Sequence, residues 1–242
     1  MADRLDTLVG LFSVGLAPTS TRDPFALRRA ALGLVQSLMT LNVDFNLDEA
    51  IQAVARFLPA YPRPEQLAEC SEFIKERLRN ALLEQGYRYD VVEAVCLAQG
   101  QNPAGALRGV KELTLWVERD DWRTILPAYA RCARILRSAA EATTEHAAEA
   151  QRYEVLPQAF QEPAEIELYQ AIEAALRVER RRGSVDDFLN TFVPMVAIIN
   201  RFFDQVLVMS EDPVQRTNRL GMLQRIVSLA EGVADMSCLE GF

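Results

Sequence analysis

The chain has 242 residues, half of them hydrophobic, and a net charge of −8. A chain this long and this apolar can bury a substantial core, which excludes disorder as its default state, and its apolar residues never run for the ~18 consecutive positions a membrane-spanning helix requires. The acidic balance also argues against nucleic-acid binding except through local basic clusters, because phosphate contacts need grouped Lys and Arg.

The opening Met1-Ala2-Asp3-Arg4 carries charge where a secretory signal would need an apolar stretch, so a cytoplasmic protein without membrane contact is expected. Helix starts then recur with one grammar along the chain: Asp23-Pro24, Asn102-Pro103, Glu162-Pro163 and Asp212-Pro213. Proline at the first helical position loses nothing, because its missing N–H would have lacked a partner, and the polar residue before it can cap the next amides. Leu27, Leu34, Leu38 and Leu41 follow the first start at helical spacing. The run from Pro59 to Pro64, with a third proline at Pro62, reads as a linker, since each proline pushes its predecessor out of the α region. Pro127 falls inside a helical pattern, where it should kink the helix or mark a new start.

A second soft point lies between Tyr153 and Pro163. Beyond it, Phe188, Phe192, Met195, Ile199, Phe203 and Val206 return every third or fourth residue, one stripe that must pack against other helices as bundle core, with Pro194 as another break. Leu220, Leu223, Val227, Ala230 and Val233 follow the last proline start. No stretch alternates long enough for a strand and no fixed-period repeat is present, so the fold class is all-α, a multi-helix array ending in a helical bundle. The two soft points divide it into segments 1–58, 64–152 and 163–242.

Chemistry is sparse. There is no GxGxxG, phosphate-binding loop, nucleophile elbow or paired-histidine metal motif. His146 is the single histidine, in an Ala/Glu-rich stretch from Glu141 to Gln151 that reads as exposed helix or loop, so no catalytic base is assigned to it. Cys70, Cys96, Cys132 and Cys238 are too scattered for a zinc cluster or a disulfide framework and read as reduced, mostly buried thiols. Asp120-Asp121 and Asp186-Asp187 read as helix caps and first-turn charges. No catalytic residue and no metal ligand is expected in this chain.

The basic residues are more informative, and all but Lys75 and Lys111 are arginine, the better residue for bidentate phosphate contact and for stacking on bases. From Trp122 to Ala140 there are Arg123, Arg131, Arg134 and Arg137 and no acidic residue. The second cluster, Arg177, Arg180, Arg181 and Arg182, reads as the end of a helix just before Gly183-Ser184, where cations also serve as ordinary C-terminal capping. Both clusters are candidates for holding an RNA backbone.

Three ordered blocks then resemble the β subunit of bacterial glycyl-tRNA synthetase. The first runs from Ala2 to Gly10, with Pro18-Thr19 and then Asp23 to Gly33. The second runs from Phe73 to Leu78 and from Glu84 to Val95. The third comprises Phe202 to Met209, Asn218-Arg219-Leu220 and Ala234 to Ser237, and is also similar to the helical anticodon-binding domain of arginyl-tRNA synthetases.

The resemblance implies a division of labour in which an α subunit, using ATP and magnesium, makes the glycyl-adenylate, while the β subunit binds the tRNA for glycine and completes a heterotetramer or a fused chain. It implies no cofactor in this chain and no aminoacylation by an isolated copy. It also assigns residues 1–58 to the last part of an HD-type helical region, 64–152 to a central helical body, and 163–242 to an anticodon-binding bundle of the DALR type. The family's β subunit is much longer, and the HD-type metal-binding histidines lie upstream of its equivalent of Asp3, which would match the trailing aspartate of that motif. Leu5, Leu8, Val9 and Leu11 are then expected to lose part of their packing surface. Two other functions stay open at this level: a subunit-assembly module that touches no RNA, and a remnant HD-type phosphohydrolase.

Overall fold

A computed structural model of the chain describes residues 2–19, 21–142 and 152–242. Among them every regular element is a helix, in line with the missing two-residue alternation. They form two compact units, Met1–Thr114 and Leu115–Phe242. Both proline-bearing soft points lie inside a unit.

The first unit contains α1 (Ala2–Ser13), α2 (Leu27–Leu41), α3 (Leu47–Ala55), α4 (Pro64–Glu84), α5 (Tyr89–Gln99) and most of α6 (Pro103–Val117). Helix α1 packs against α2, α3 and α4, so the Pro59–Pro64 run is a turn that returns α4 onto the earlier helices. Leu5, Leu8 and Val9 are buried at 5%, 0% and 0% exposure, contrary to the expected loss of packing, because α2 and α4 cover the apolar face of α1, while Leu11 is half-buried. Arg4 supports this contact by donating from Nη1 to the Gly33 carbonyl. A Cβ at residue 33 would lie 2.7 Å from that nitrogen, so glycine is what lets the guanidinium pass.

The proline grammar holds at three starts: α6 begins at Pro103, α8 (Pro163–Leu176) at Pro163 and α11 (Pro213–Ser228) at Pro213. Asp212 accepts hydrogen bonds from the Val214 and Gln215 amides at 2.8 and 3.4 Å. The first start differs. Helix α2 begins at Leu27, and Asp23 caps from four residues ahead, accepting from Leu27 N at 2.8 Å and Arg28 N at 3.0 Å while Ala26 takes a left-handed conformation. Leu27, Leu34 and Leu38 are core residues, whereas Leu41, at the helix end, is 59% exposed.

In the second unit α7 (Trp122–Ala142) continues through Pro127. The expected single stripe is broken at Pro194 into α9 (Val185–Phe192), a 3-10 turn over Val193–Met195 and α10 (Val196–Gln205). All six stripe residues are nonetheless buried. The 3-10 turn absorbs the amide that proline cannot donate while keeping the apolar positions in phase.

The second soft point is a strap along α11. The Tyr153 amide donates to Gln224 Oε1 at 3.0 Å, the Leu156 amide and carbonyl pair with the Asn218 side chain at 2.5 and 2.9 Å, and the Ala159 carbonyl accepts from Gln215 Nε2 at 2.6 Å. Residues 215, 218, 221 and 224 recur every third position and so wind about half-way round α11, and the strap follows them antiparallel to the helix. Gly221 permits this approach, since a Cβ there would lie 2.7 Å from Val155 Cγ2 and 3.0 Å from the Tyr153 carbonyl.

Candidate nucleic-acid interface

All eight candidate arginines belong to the second unit, where Ile125, Leu126, Tyr129, Ala130 and Cys132 fix the inward face of α7. At 100° per residue, Arg123, Arg131, Arg134 and Arg137 then project within roughly 120° of one another, along about 21 Å of helix at 1.5 Å per residue. Each is exposed, and among the described residues none makes an ion pair. For Arg131 and Arg134 the cause is local: no carboxylate stands three or four positions away on the helix, whereas Glu141 lies four positions after Arg137 without an ion pair between them. Two of the four instead lie over aromatic rings, Arg131 Cζ 4.1 Å from the Phe203 centroid and Arg134 Cζ 5.6 Å from that of Phe242.

The second cluster has a different arrangement. Helix α8 ends at Leu176, so Arg177 is its cap and Arg180, Arg181 and Arg182 lie in the loop beyond, which turns at Gly183 with a φ of 73°. Arg180 donates to the Leu229 carbonyl at 2.7 Å. Arg181 grips Asp187 through Nη2 and Nε at 2.8 and 2.9 Å, its backbone amide adds a third bond at 2.7 Å, and Nη2 also reaches Ser184 Oγ. Arg177 and Arg182 are exposed and free of ion pairs among the described residues. Two of the four arginines are therefore occupied in holding the α8–α9 loop.

Bonding to the Arg181 side chain, and then to its amide, brings the Asp187 carboxyl down to about 2. A carboxyl depressed in the folded state binds fewer protons there than when unfolded, so its contribution is present above the unfolded value and fades as pH falls toward 2. Asp187→Asn is expected to flatten the fall of stability between pH ~4 and pH ~2. Urea unfolding midpoints across that window measure it; identical acid slopes in variant and wild type would refute it.

Other reactive groups are quiet. Burial pushes the Cys70, Cys96 and Cys132 thiols up to about 12, which leaves no thiolate nucleophile at neutral pH, and Cys238 is half-buried and not in a disulfide. Asp186 and Asp187 sit in the first turn of α9, as their spacing suggests, and Asp186 also accepts from Trp116 Nε1 at 2.7 Å. Among the described residues no group of three His, Cys, Asp or Glu is placed to hold a metal ion; His146 lies outside them. No helix among them is long and apolar enough to cross a membrane. The feature that sequence reasoning missed is the ring beneath Arg131, because Phe203 registers in the sequence only as a member of the core stripe.

Residues 1–97 match the family model of the glycyl-tRNA synthetase beta subunit, and residues 125–234 match that of the DALR anticodon binding domain. Among curated proteins, the glycine–tRNA ligase beta subunit of Moorella thermoacetica is 38% identical over 99% of this chain and 34% of its own length. That of Acidithiobacillus ferrooxidans is 34% identical over 100% of this chain and 35% of its own length. The Arabidopsis thaliana glycine–tRNA ligase, chloroplastic/mitochondrial 2, is 32% identical over 100% of this chain and 22% of its own length. The chain thus spans about a third of the bacterial subunits it matches.

Proposed function

Because this chain belongs to the glycyl-tRNA synthetase β-subunit family through residues 1–97 and to the DALR anticodon-binding family through residues 125–234, we propose that it supplies tRNA recognition for glycyl-tRNA formation in the cytoplasm. In this reading the second unit holds the tRNA for glycine, and glycine activation with ATP and magnesium belongs to an α-subunit partner. The observation that carries it is the α7 face, where Arg123, Arg131, Arg134 and Arg137 stand exposed with no ion pair among the described residues. Some exposed arginines are neutralised by neighbours, as Arg119 is by Asp121 and Arg201 by Glu167, whereas the α7 row groups four unpaired ones on one face of one helix. An uncompensated row keeps its field for phosphates, and each phosphate it neutralises releases condensed counterions from the RNA.

Replacing Arg131, Arg134 and Arg137 together with glutamate is expected to weaken tRNA binding at least about tenfold and to flatten its dependence on salt by about one unit for each phosphate no longer neutralised. Filter binding across a salt series gives both quantities. Binding that retained the wild-type affinity and slope, or a chain that bound the α subunit yet held no tRNA in a salt-sensitive way, would overturn the proposal.

A further inference from the structure

We propose that Arg131 is a stacking shelf for one unpaired base of the bound tRNA, with the guanidinium backed by Phe203 on one face and open to the RNA on the other. This rests on the tRNA-binding reading above and assigns one residue within it a role that charge alone does not supply.

The geometry separates Arg131 from the other arginines that lie over rings. Among the described residues, Arg77 sits over Phe73, Arg119 over Trp116 and Arg225 over Tyr169, and each of these is tied to a carboxylate, Glu76, Asp121 and Glu173 respectively. Their charge is spent within the protein. Arg131 has the shortest ring distance of the group, 4.1 Å, and no carboxylate, while Arg134 has neither a carboxylate nor as close a ring. Phe203 is itself fixed: it is 8% exposed, belongs to the buried stripe of α10, and makes an edge contact with Phe202 at 5.5 Å. The backing ring therefore cannot swing away, and Arg131, whose residue remains exposed, is held in place before any ligand arrives.

A guanidinium is planar, delocalised and weakly hydrated, so its free face stacks on a π-system at little desolvation cost, which an ammonium cannot do. Holding the long side chain over Phe203 removes rotamer freedom that binding would otherwise have to take away. The ligand that fits is an unpaired nucleobase. In an A-form duplex the bases are stacked on one another and unavailable, whereas loop bases can splay out onto aromatic or arginine planes. Arg134 and Arg137, on the same helix face, are placed to hold the adjoining backbone.

The experiment uses the full chain and transcripts of the tRNA for glycine carrying a fluorescent purine analogue at one unpaired anticodon-loop position at a time. Wild-type protein is expected to quench the analogue at one position. Arg131→Lys, which keeps the charge and loses the plane, should abolish that quenching and weaken binding about five- to tenfold while leaving the salt slope unchanged. Arg29→Lys, at an exposed arginine of the first unit, should do neither. Circular dichroism checks that both variants are folded, which their exposed positions favour. Quenching and affinity that survive Arg131→Lys would overturn the shelf, and so would a loss accompanied by a changed salt slope, which would make Arg131 a phosphate ligand. Either result leaves the tRNA reading intact so long as the triple glutamate variant still loses binding; if that variant also binds normally, the broader reading fails with it.

Discussion

Arg219→Met is expected to destabilise the second unit by about 3–5 kcal/mol, because it strands a buried carboxylate. Glu165 is fully buried and Arg219 is 7% exposed. Glu165 Oε1 accepts from Arg219 Nε at 2.7 Å, and Oε2 accepts from the Gln161 and Glu162 amides at 2.8 Å each, so one carboxylate closes the start of α8 and also joins it to α11. Arg219 adds a bond from Nη1 to the Leu207 carbonyl at 2.8 Å. Burial on its own would raise the Glu165 carboxyl; Arg219 and the two amides outweigh it and leave the group below its ordinary value. Methionine fills most of the arginine's volume, so the loss is electrostatic rather than a cavity. Adding Glu165→Gln removes the stranded charge, and the double variant should recover part of the stability. Urea titrations of the wild type and both variants measure this; a loss under about 1 kcal/mol for Arg219→Met, within the range of an exposed pair, would show that the carboxylate finds water instead.

Phe188→Ala is expected to cost about 3–5 kcal/mol, through reduced burial and an unfilled cavity. Phe188 is 0% exposed and sits between the Tyr129 ring, edge-on at 6.1 Å, and the Phe192 ring at 6.0 Å. Tyr129 is in turn anchored by its hydroxyl, which donates to the Val227 carbonyl at 3.1 Å, so α7, α9 and α11 meet around this aromatic group. Leu207→Ala, at a residue 73% exposed, should stay within about 0.5 kcal/mol. Thermal unfolding of the two variants side by side tests the contrast, and comparable losses would mean that the aromatic group is not the centre of the unit.

The apolar stripe of α9 and α10 was legible in the sequence because helical periodicity depends only on spacing, and Pro194 changed the helix without changing which residues are buried. Proline starts at 103, 163 and 213 were legible for the same local reason. Asp23 was not, because its carboxylate reaches two amides beyond a left-handed Ala26, a backbone state no residue type there announces. The arginine row of α7 could be read from the absence of acidic neighbours, whereas the fate of Arg181 depended on Asp187 folding back across Gly183. Asn218 and Arg219 form part of a block that carries the family resemblance, yet what they do, one pairing with a strap and the other with a buried glutamate, requires partners from distant positions that no local pattern encodes.

The amide side chains of α11 hold the main chain of residues 153–159 rather than its side groups, so the mooring is blind to which amino acids pass through it. Leu156 could become almost any residue with an N–H, but proline there would cast off the Asn218 bond. Downstream of such a cleat the start of α8 is held by main-chain bonds of its own, independently of what precedes Tyr153.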